Sequence, residues 1–179
     1  MLDTKEIKLK ICLVGEGSVG KSSLIRRFVF DEFSDAYIST IGTKITKKEV
    51  ELKHPLKNEK FKVTLLIWDI MGQKGFRQLL QEAYFYGAQG LIAVCDITNK
   101  RSLKDLDSWI DSAFSVTGKV PLVFLANKSD LNNKAEFGLD DLNTFITKYE
   151  RSSALSSSAK TGDNVEEAFK VLGIEILKE

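Results

Sequence analysis

Cysteine, proline and histidine are nearly missing from this chain: 179 residues hold two Cys, two Pro and one His. Cys12 and Cys95, each inside an apolar run, form neither a disulfide framework nor a thiolate metal cluster, which points to a reducing compartment. Pro55 and Pro121 are too few for a proline-rich linker. His54, in the charged stretch ELKHPLK, has no second ligand beside it and reads as a surface residue. Charge of one sign is lacking too. Lys and Arg number 26 against 25 Asp and Glu, a net charge of +1, so neither a nucleic-acid groove nor a polybasic membrane patch is expected. No apolar run approaches the roughly 18 residues that cross a bilayer, and MLDTKEIKLK lacks the apolar core of a signal peptide. There is no internal repeat. At 43% hydrophobic residues, the expectation is one globular domain over 1–179, soluble and cytoplasmic.

What is present is alternation. IKLKICLV (7–14) starts as an alternating pattern and becomes continuously apolar, as a strand entering a buried sheet does. SSLIRRFVF (22–30) puts Leu24, Ile25, Phe28 and Val29 on one helical face. TKITKKEVEL (43–52) and FKVTLLIWD (61–69), joined by a polar stretch with a proline, read as a hairpin. GLIAVCDIT (90–98) and VPLVFLANK (120–128) read as buried parallel strands with polar C-terminal ends, and SSALSS (152–157) as a weaker strand. Between them lies a helix over 102–114, with Ser102 as its N-cap, and a last helix begins near Asp163. The fold predicted is α/β, a mostly parallel sheet with helices on both faces, and its ligand is expected beyond the C-terminal strand ends.

The residues that carry chemistry fall at those ends. GEGSVGKS (15–22) fits G-x-x-x-x-G-K-[ST] with Gly15, Gly20, Lys21 and Ser22, between a strand and a helix. Glycines let the backbone curl with its N–H groups inward, and the helix N-terminus adds positive potential, so the loop suits phosphates. Lys21 is expected to span the β- and γ-phosphates, and the Ser22 hydroxyl to ligand Mg²⁺. The rest of the loop, Gly17, Ser18, Val19 and Ser23, counts as nucleotide-contacting. In WDIMGQ (68–73), Asp69 suits a carboxylate on the Mg²⁺ site, Gly72 can bring its N–H to a γ-phosphate, and Gln73 can orient an attacking water. In NKSD (127–130), the Asp130 carboxylate can accept from N1–H and the 2-amino group of guanine. Adenine has neither donor, so an unpaired carboxylate would disfavour it by several kcal/mol.

These motifs occur in one order. With YISTIG (37–42), YGAQGLIAVCDIT (86–98) and SSAK (157–160), the chain resembles a small GTPase of the Ras superfamily, most similar to the Rab branch, over nearly its whole length. The resemblance implies a P-loop NTPase fold, a six-stranded sheet with one antiparallel edge strand, in a single G domain. It implies a slow GTP hydrolase that cycles between GTP and GDP states as a molecular switch. Phe33 would stack on guanine, Tyr37 would close over the nucleotide, and Thr40 would ligand Mg²⁺ and meet the γ-phosphate. Asn127, Lys128 and Asp130, with Ser158, Ala159 and Lys160, would hold the base, the Ala159 N–H meeting the guanine oxygen, and Gln73, Lys21 and Thr40 would act in hydrolysis. Partners implied are a GTPase-activating protein, an exchange factor and effectors, engaged through 35–45 and 70–85. Gly17 holds the position where a side chain would obstruct an incoming arginine finger.

Three departures qualify the likeness. The family's DTAGQ is here DIMGQ, and two readings of Met71 stay open: it crowds the metal site, or it fills space against a helix over 76–85. The first gives the alternative function, a GTP-binding interaction module with little hydrolysis. Ile45 replaces a phenylalanine of the branch's effector-binding aromatic set, of which Trp68 and Tyr84 remain. No cysteine follows Cys95, so no prenyl anchor is expected in this chain, and membrane attachment would need a further tail.

Overall fold

The computed structural model describes residues 4–54, 56–57, 59–72 and 81–178. Six strands form one sheet in the order β2-β3-β1-β4-β5-β6. They are β1 (Thr4–Val14), β2 (Thr43–Lys53), β3 (Lys60–Ile70), β4 (Gly90–Asp96), β5 (Leu122–Asn127) and β6 (Ser152–Ser156). All neighbours run parallel except β2, which pairs antiparallel with β3 at the edge. The helices are α1 (Lys21–Phe30), α2 (Lys100–Lys104), α3 (Leu106–Thr117), α4 (Leu139–Ile146) and α5 (Val165–Leu177), with a 3₁₀ segment at Ser129–Lys134.

The sequence pattern explains the layers. β4 and β5 are buried along their whole length, as strands covered on both faces must be. On one face α1 and α5 bury Leu24, Ile25, Phe28, Phe169 and Leu172, with Phe28 stacked on Phe169. On the other, Leu103, Leu106, Trp109, Ile110 and Leu142 from α2, α3 and α4 pack beneath β1, β4 and β5. Each fully buried Leu or Ile contributes about 1.5–3 kcal/mol relative to exposure. β1 has β3 on one side and β4 on the other, both parallel. The connections leave β1 in opposite directions, and a crevice opens beyond its C-terminal end.

Several boundaries differ from expectation. Ser102 is not a cap: Asn99 is, its side chain accepting from the Arg101 N–H. Ser102 lies inside α2, buried, donating to Asn99 O and accepting from Asp96 N–H. The expected 102–114 helix divides at Asp105 into α2 and α3. The α5 helix starts at Val165, after Asn164 in the left-handed region. The α4 helix and the 3₁₀ segment went unrecognised. By sequence, Phe76, Leu79, Leu80, Tyr84 and Phe85 fit either a partner surface or the core; Tyr84 and Phe85 are core residues at 7% and 0% exposure. Phe76, Leu79 and Leu80 lie outside the described residues.

Candidate functional site

The loop between β1 and α1 is shaped by two glycines. Gly15 has φ +142°, and a Cβ there would sit 2.3 Å from the Val94 carbonyl oxygen. Gly20, the N-cap of α1, has φ +104°, and a Cβ would meet Asn127 Nδ2 at 2.3 Å. Neither conformation nor space admits a side chain. No side chain caps α1 and no acidic residue occupies its first turn, so its first N–H groups and its positive end face the crevice. Lys21 is buried in that first turn, and its Nζ donates to the carbonyls of Gly15 (2.8 Å) and Glu16 (2.7 Å). Burial disfavours the ammonium and lowers its pKa to about 8, against the pull of Asp69 and Glu16. A buried cation at a helix N-terminus that no side chain caps attracts anions.

Beside it three side-chain oxygens converge from three parts of the chain. Ser22 Oγ lies 3.0 Å from Thr40 Oγ1 and donates to Asp69 Oδ2. Asp69 is the penultimate residue of β3, with 4% exposure. Desolvation raises its pKa, while the Ser22 hydrogen bond and the Lys21 charge lower it. Among the described residues no group of three His, Cys, Asp or Glu could hold a metal. Two hydroxyls and one carboxylate form the candidate set, and all-oxygen donors suit a hard divalent cation. Gly72 packs against the loop so closely that a Cβ would fall 2.4 Å from Gly17 N, a contact with backbone that cannot turn aside. At Gly17 a Cβ would meet nothing nearer than Gly72 O and Tyr37 Oη, both at 4.0 Å.

The far end is built on β5. Asn127 Nδ2 donates to Val19 O at 2.9 Å, and its Oδ1 accepts from Ala159 N–H and Ser157 Oγ, both at 3.3 Å. One side chain thus fastens the first loop to the last. Lys128, in the left-handed region, reaches Ser18 O at 2.8 Å and Asp96 Oδ2 at 2.6 Å. Asp130 is exposed, and its Oδ1 accepts from the buried Ser158 hydroxyl at 2.6 Å. The Ala159 N–H, expected to meet a base oxygen, here has the long bond to Asn127.

The three groups share one cleft of about 510 Å³. Gly17, Ser18, Gly20, Lys21, Ser22 and Ser23 line it, with Phe33, Tyr37, Thr40, Gly72, Asn127, Lys128, Asp130, Ala159 and Lys160. Gly15, Val19, Asp69 and Ser158 stand behind that lining and hold it. Gln73 lies outside the described residues, as does most of the helix expected over 76–85. Ile70 completes β3 and joins the core; Met71 is 8% exposed and lines the cleft. Sequence reading missed Asp96 and Arg27. Asp96 was visible as the polar end of an apolar strand, whereas nothing near Arg27 in sequence points to its partners.

A model of the Ras family matches residues 10–178. The chain is 35% identical to Ras-related protein Rab-8B of Homo sapiens over 99% of its own length and 82% of that protein's. It is 35% identical to GTP-binding protein ypt4 of Schizosaccharomyces pombe over 90% of this chain and 68% of that protein. Ras-related protein Rab-13 of Rattus norvegicus is 34% identical over 94% of this chain and 79% of its own length.

Proposed function

The chain belongs to the Ras family, and from that premise we propose how its cleft performs the family's work. The protein is a small GTP-binding switch that hydrolyses GTP. The alternative of a binding module without hydrolysis is not favoured by these relatives. In our reading residues 1–179 form one G domain. Lys21 and the N–H groups of 17–23 hold the phosphates; Phe33 and Tyr37 cover the nucleotide. Asp130, Asn127, Lys128 and the segment 158–160 hold guanine. The observation that carries this reading is one cleft with two chemically opposite ends: a buried cation beside the N-terminus of α1, which no side chain caps, at one, and an acceptor carboxylate at the other.

Mg²⁺ fits the oxygen set of Ser22, Thr40 and Asp69, where it would neutralise phosphate charge. Hydrolysis is attack of water on the γ-phosphorus. The protein contributes position and charge rather than covalent chemistry. Lys21 offers its cation, and Gln73 is assigned the orientation of the water. Thr40 and Gly72 sit in separate loops that both touch the phosphate end, so losing a γ-phosphate releases both. A GTPase-activating protein, an exchange factor and effectors are implied by the family. We place their contacts at 35–45 and 70–85, where Tyr37, Ile38, Ile41 and Ile45 stand 54–92% exposed. No helix among the described residues is long and apolar enough to cross a membrane. A cytoplasmic location, peripheral to vesicle membranes if a lipidated tail exists, accords with two buried, unpaired cysteines.

Calorimetry should find GTP bound at least about a thousandfold more tightly than ATP, and single-turnover assays should detect phosphate release from GTP-loaded protein. Equal uptake of both triphosphates would end the base assignment. No release over many hours, even with candidate activators, would end the hydrolase assignment. Ser22→Asn tests the metal set: Mg²⁺-GTP affinity should fall about 10- to 100-fold and GDP affinity much less. An equal loss of both would remove Ser22 from the metal.

A further inference from the structure

Arg27 occupies the last turn of α1 and does not line the cleft, yet it touches both walls of the base end. Its side chain is only 19% exposed. The Nε donates to Ala159 O at 2.9 Å and Nη2 to Lys160 O at 2.6 Å. Nη1 donates to Asp31 Oδ1 at 2.9 Å, with Asp31 O at 3.4 Å. Asp31 is the left-handed C-cap of α1, where the chain turns toward Phe33. One planar guanidinium therefore joins the segment carrying the Ala159 N–H to the corner that leads to Phe33. The exposed ion pair to Asp31 contributes little. The two carbonyl bonds, made by a charged donor across the fold, are the strong part.

The rest of that segment is self-tied. Ser158 Oγ accepts from Thr161 N–H, the Ser158 carbonyl accepts from Gly162 N–H, and the Asp163 carbonyl accepts from Ser158 N–H. These bonds fix the shape of the turn; Ser158 Oγ, bound to Asp130, and the Asn127 side chain fasten it to the β5 end. On the α1 side, among the described residues, it is the Arg27 side chain that bonds the Ala159 and Lys160 carbonyls.

We propose that Arg27 is a positioning residue for purine recognition: by holding the Ala159–Lys160 peptides against α1 it sets both discrimination at the purine 6-position and the rate at which nucleotide escapes. This rests on the reading above that Ala159 and Asp130 face guanine. Lysine cannot reproduce the clasp, because an ammonium lacks the fixed fork that serves two carbonyls and a carboxylate together.

The test compares wild type, Arg27→Ala, Arg27→Lys and Asp31→Ala, each shown folded by its thermal melt. GDP is set against the diphosphate of 2-aminopurine riboside, which lacks the 6-oxygen and with it the N1–H; the N1–H contribution, made to Asp130, is common to wild type and the Arg27 variants, so the change in preference between them reads the 6-position. In Arg27→Ala, GDP release should accelerate about 10- to 100-fold, and the preference for GDP over the 6-deoxo analogue should shrink by about tenfold. The ratio of GTP to GDP affinity should hold within about twofold, because the phosphate end is untouched. Arg27→Lys should recover only a minor part, and Asp31→Ala should change release less than about threefold. Faster release with an unchanged preference at the 6-position would overturn the proposal, as would full rescue by lysine or an Asp31→Ala effect equal to that of Arg27→Ala. If Arg27→Ala does not fold, the same ratios in Arg27→Lys decide. A wild type indifferent to the 6-oxygen would instead break the base assignment itself, which separates the two failures.

Discussion

Asp130→Asn should convert a GTP-preferring protein into one that prefers xanthosine triphosphate. The Ser158 hydroxyl, buried and 2.6 Å away, donates to Oδ1. That donor selects the orientation an asparagine would take, with its carbonyl oxygen on Ser158 and its NH₂ toward the base. Guanine presents donors there, N1–H and the 2-amino group, so donor would face donor. Xanthine presents an oxygen at the 2-position, to which that NH₂ can donate, so the clash at the 2-amino group is replaced by a hydrogen bond. Two charge-assisted hydrogen bonds are lost for guanine, and GTP affinity should fall by about 10²- to 10⁴-fold while xanthosine triphosphate gains. Competitive displacement with both nucleotides reads the ratio. GTP affinity unchanged in this variant would mean that the base lies elsewhere.

Lys21→Met should abolish tight nucleotide binding without weakening the nucleotide-free fold. The side chain is 6% exposed, and its pKa falls from 10.5 to about 8 because burial penalises the charge. A folded-state value below the unfolded one means that the unfolded chain holds the proton more firmly. The penalty on folding is therefore full below pH 8 and fades as the pH rises toward 10.5. Methionine keeps the stem and removes that penalty at neutral pH. The carbonyls of Gly15 and Glu16 lose their donor, a partial offset. Ligand at one hundred times Kd stabilises by about 2.7 kcal/mol, which raises Tm by about 5–10 °C for a chain of this size. Wild type should show that gain with Mg²⁺-GDP and the variant almost none, at equal or higher Tm without nucleotide. A variant with an undiminished gain would show that Lys21 does not meet phosphate.

Much of the cleft lining was legible because four of the motifs, those at 15–22, 68–73, 127–130 and 157–160, sit at strand ends, where sequence pattern is strongest. β4 and β5 are apolar runs with abrupt polar ends, and the structure buries them whole. The loop at 15–22 was readable because only glycine tolerates φ +142° and +104° beside the Val94 oxygen and the Asn127 amide. What escaped was of two kinds. The α4 helix is short, with a weak start at Gly138, whose N–H is met by Asp141 rather than by a side-chain cap of its own. The helix cap was misassigned because Ser102 and Asn99 are both good capping residues. Burial of the Ser102 hydroxyl against Asp96 decides between them. Arg27 lay beyond reach for another reason: its acceptors are carbonyls 132 and 133 residues away, and a carbonyl carries no signature in sequence. That 158–160 closes the cleft was legible by resemblance, since Ala159 and Lys160 line it, but the Arg27 bonds that brace it were not.

The bare contact between Gly72 and the Gly17 peptide has a mechanical consequence. Most contacts between loops run through side chains, which rotate and absorb small displacements. Here two main chains abut with nothing interposed, so the junction has no slack. A displacement of one peptide therefore meets no side chain that could absorb it before it reaches the other. On the function proposed above, a nucleotide that differs by one phosphoryl group would shift the backbone at Gly72 without any side chain relaying the message.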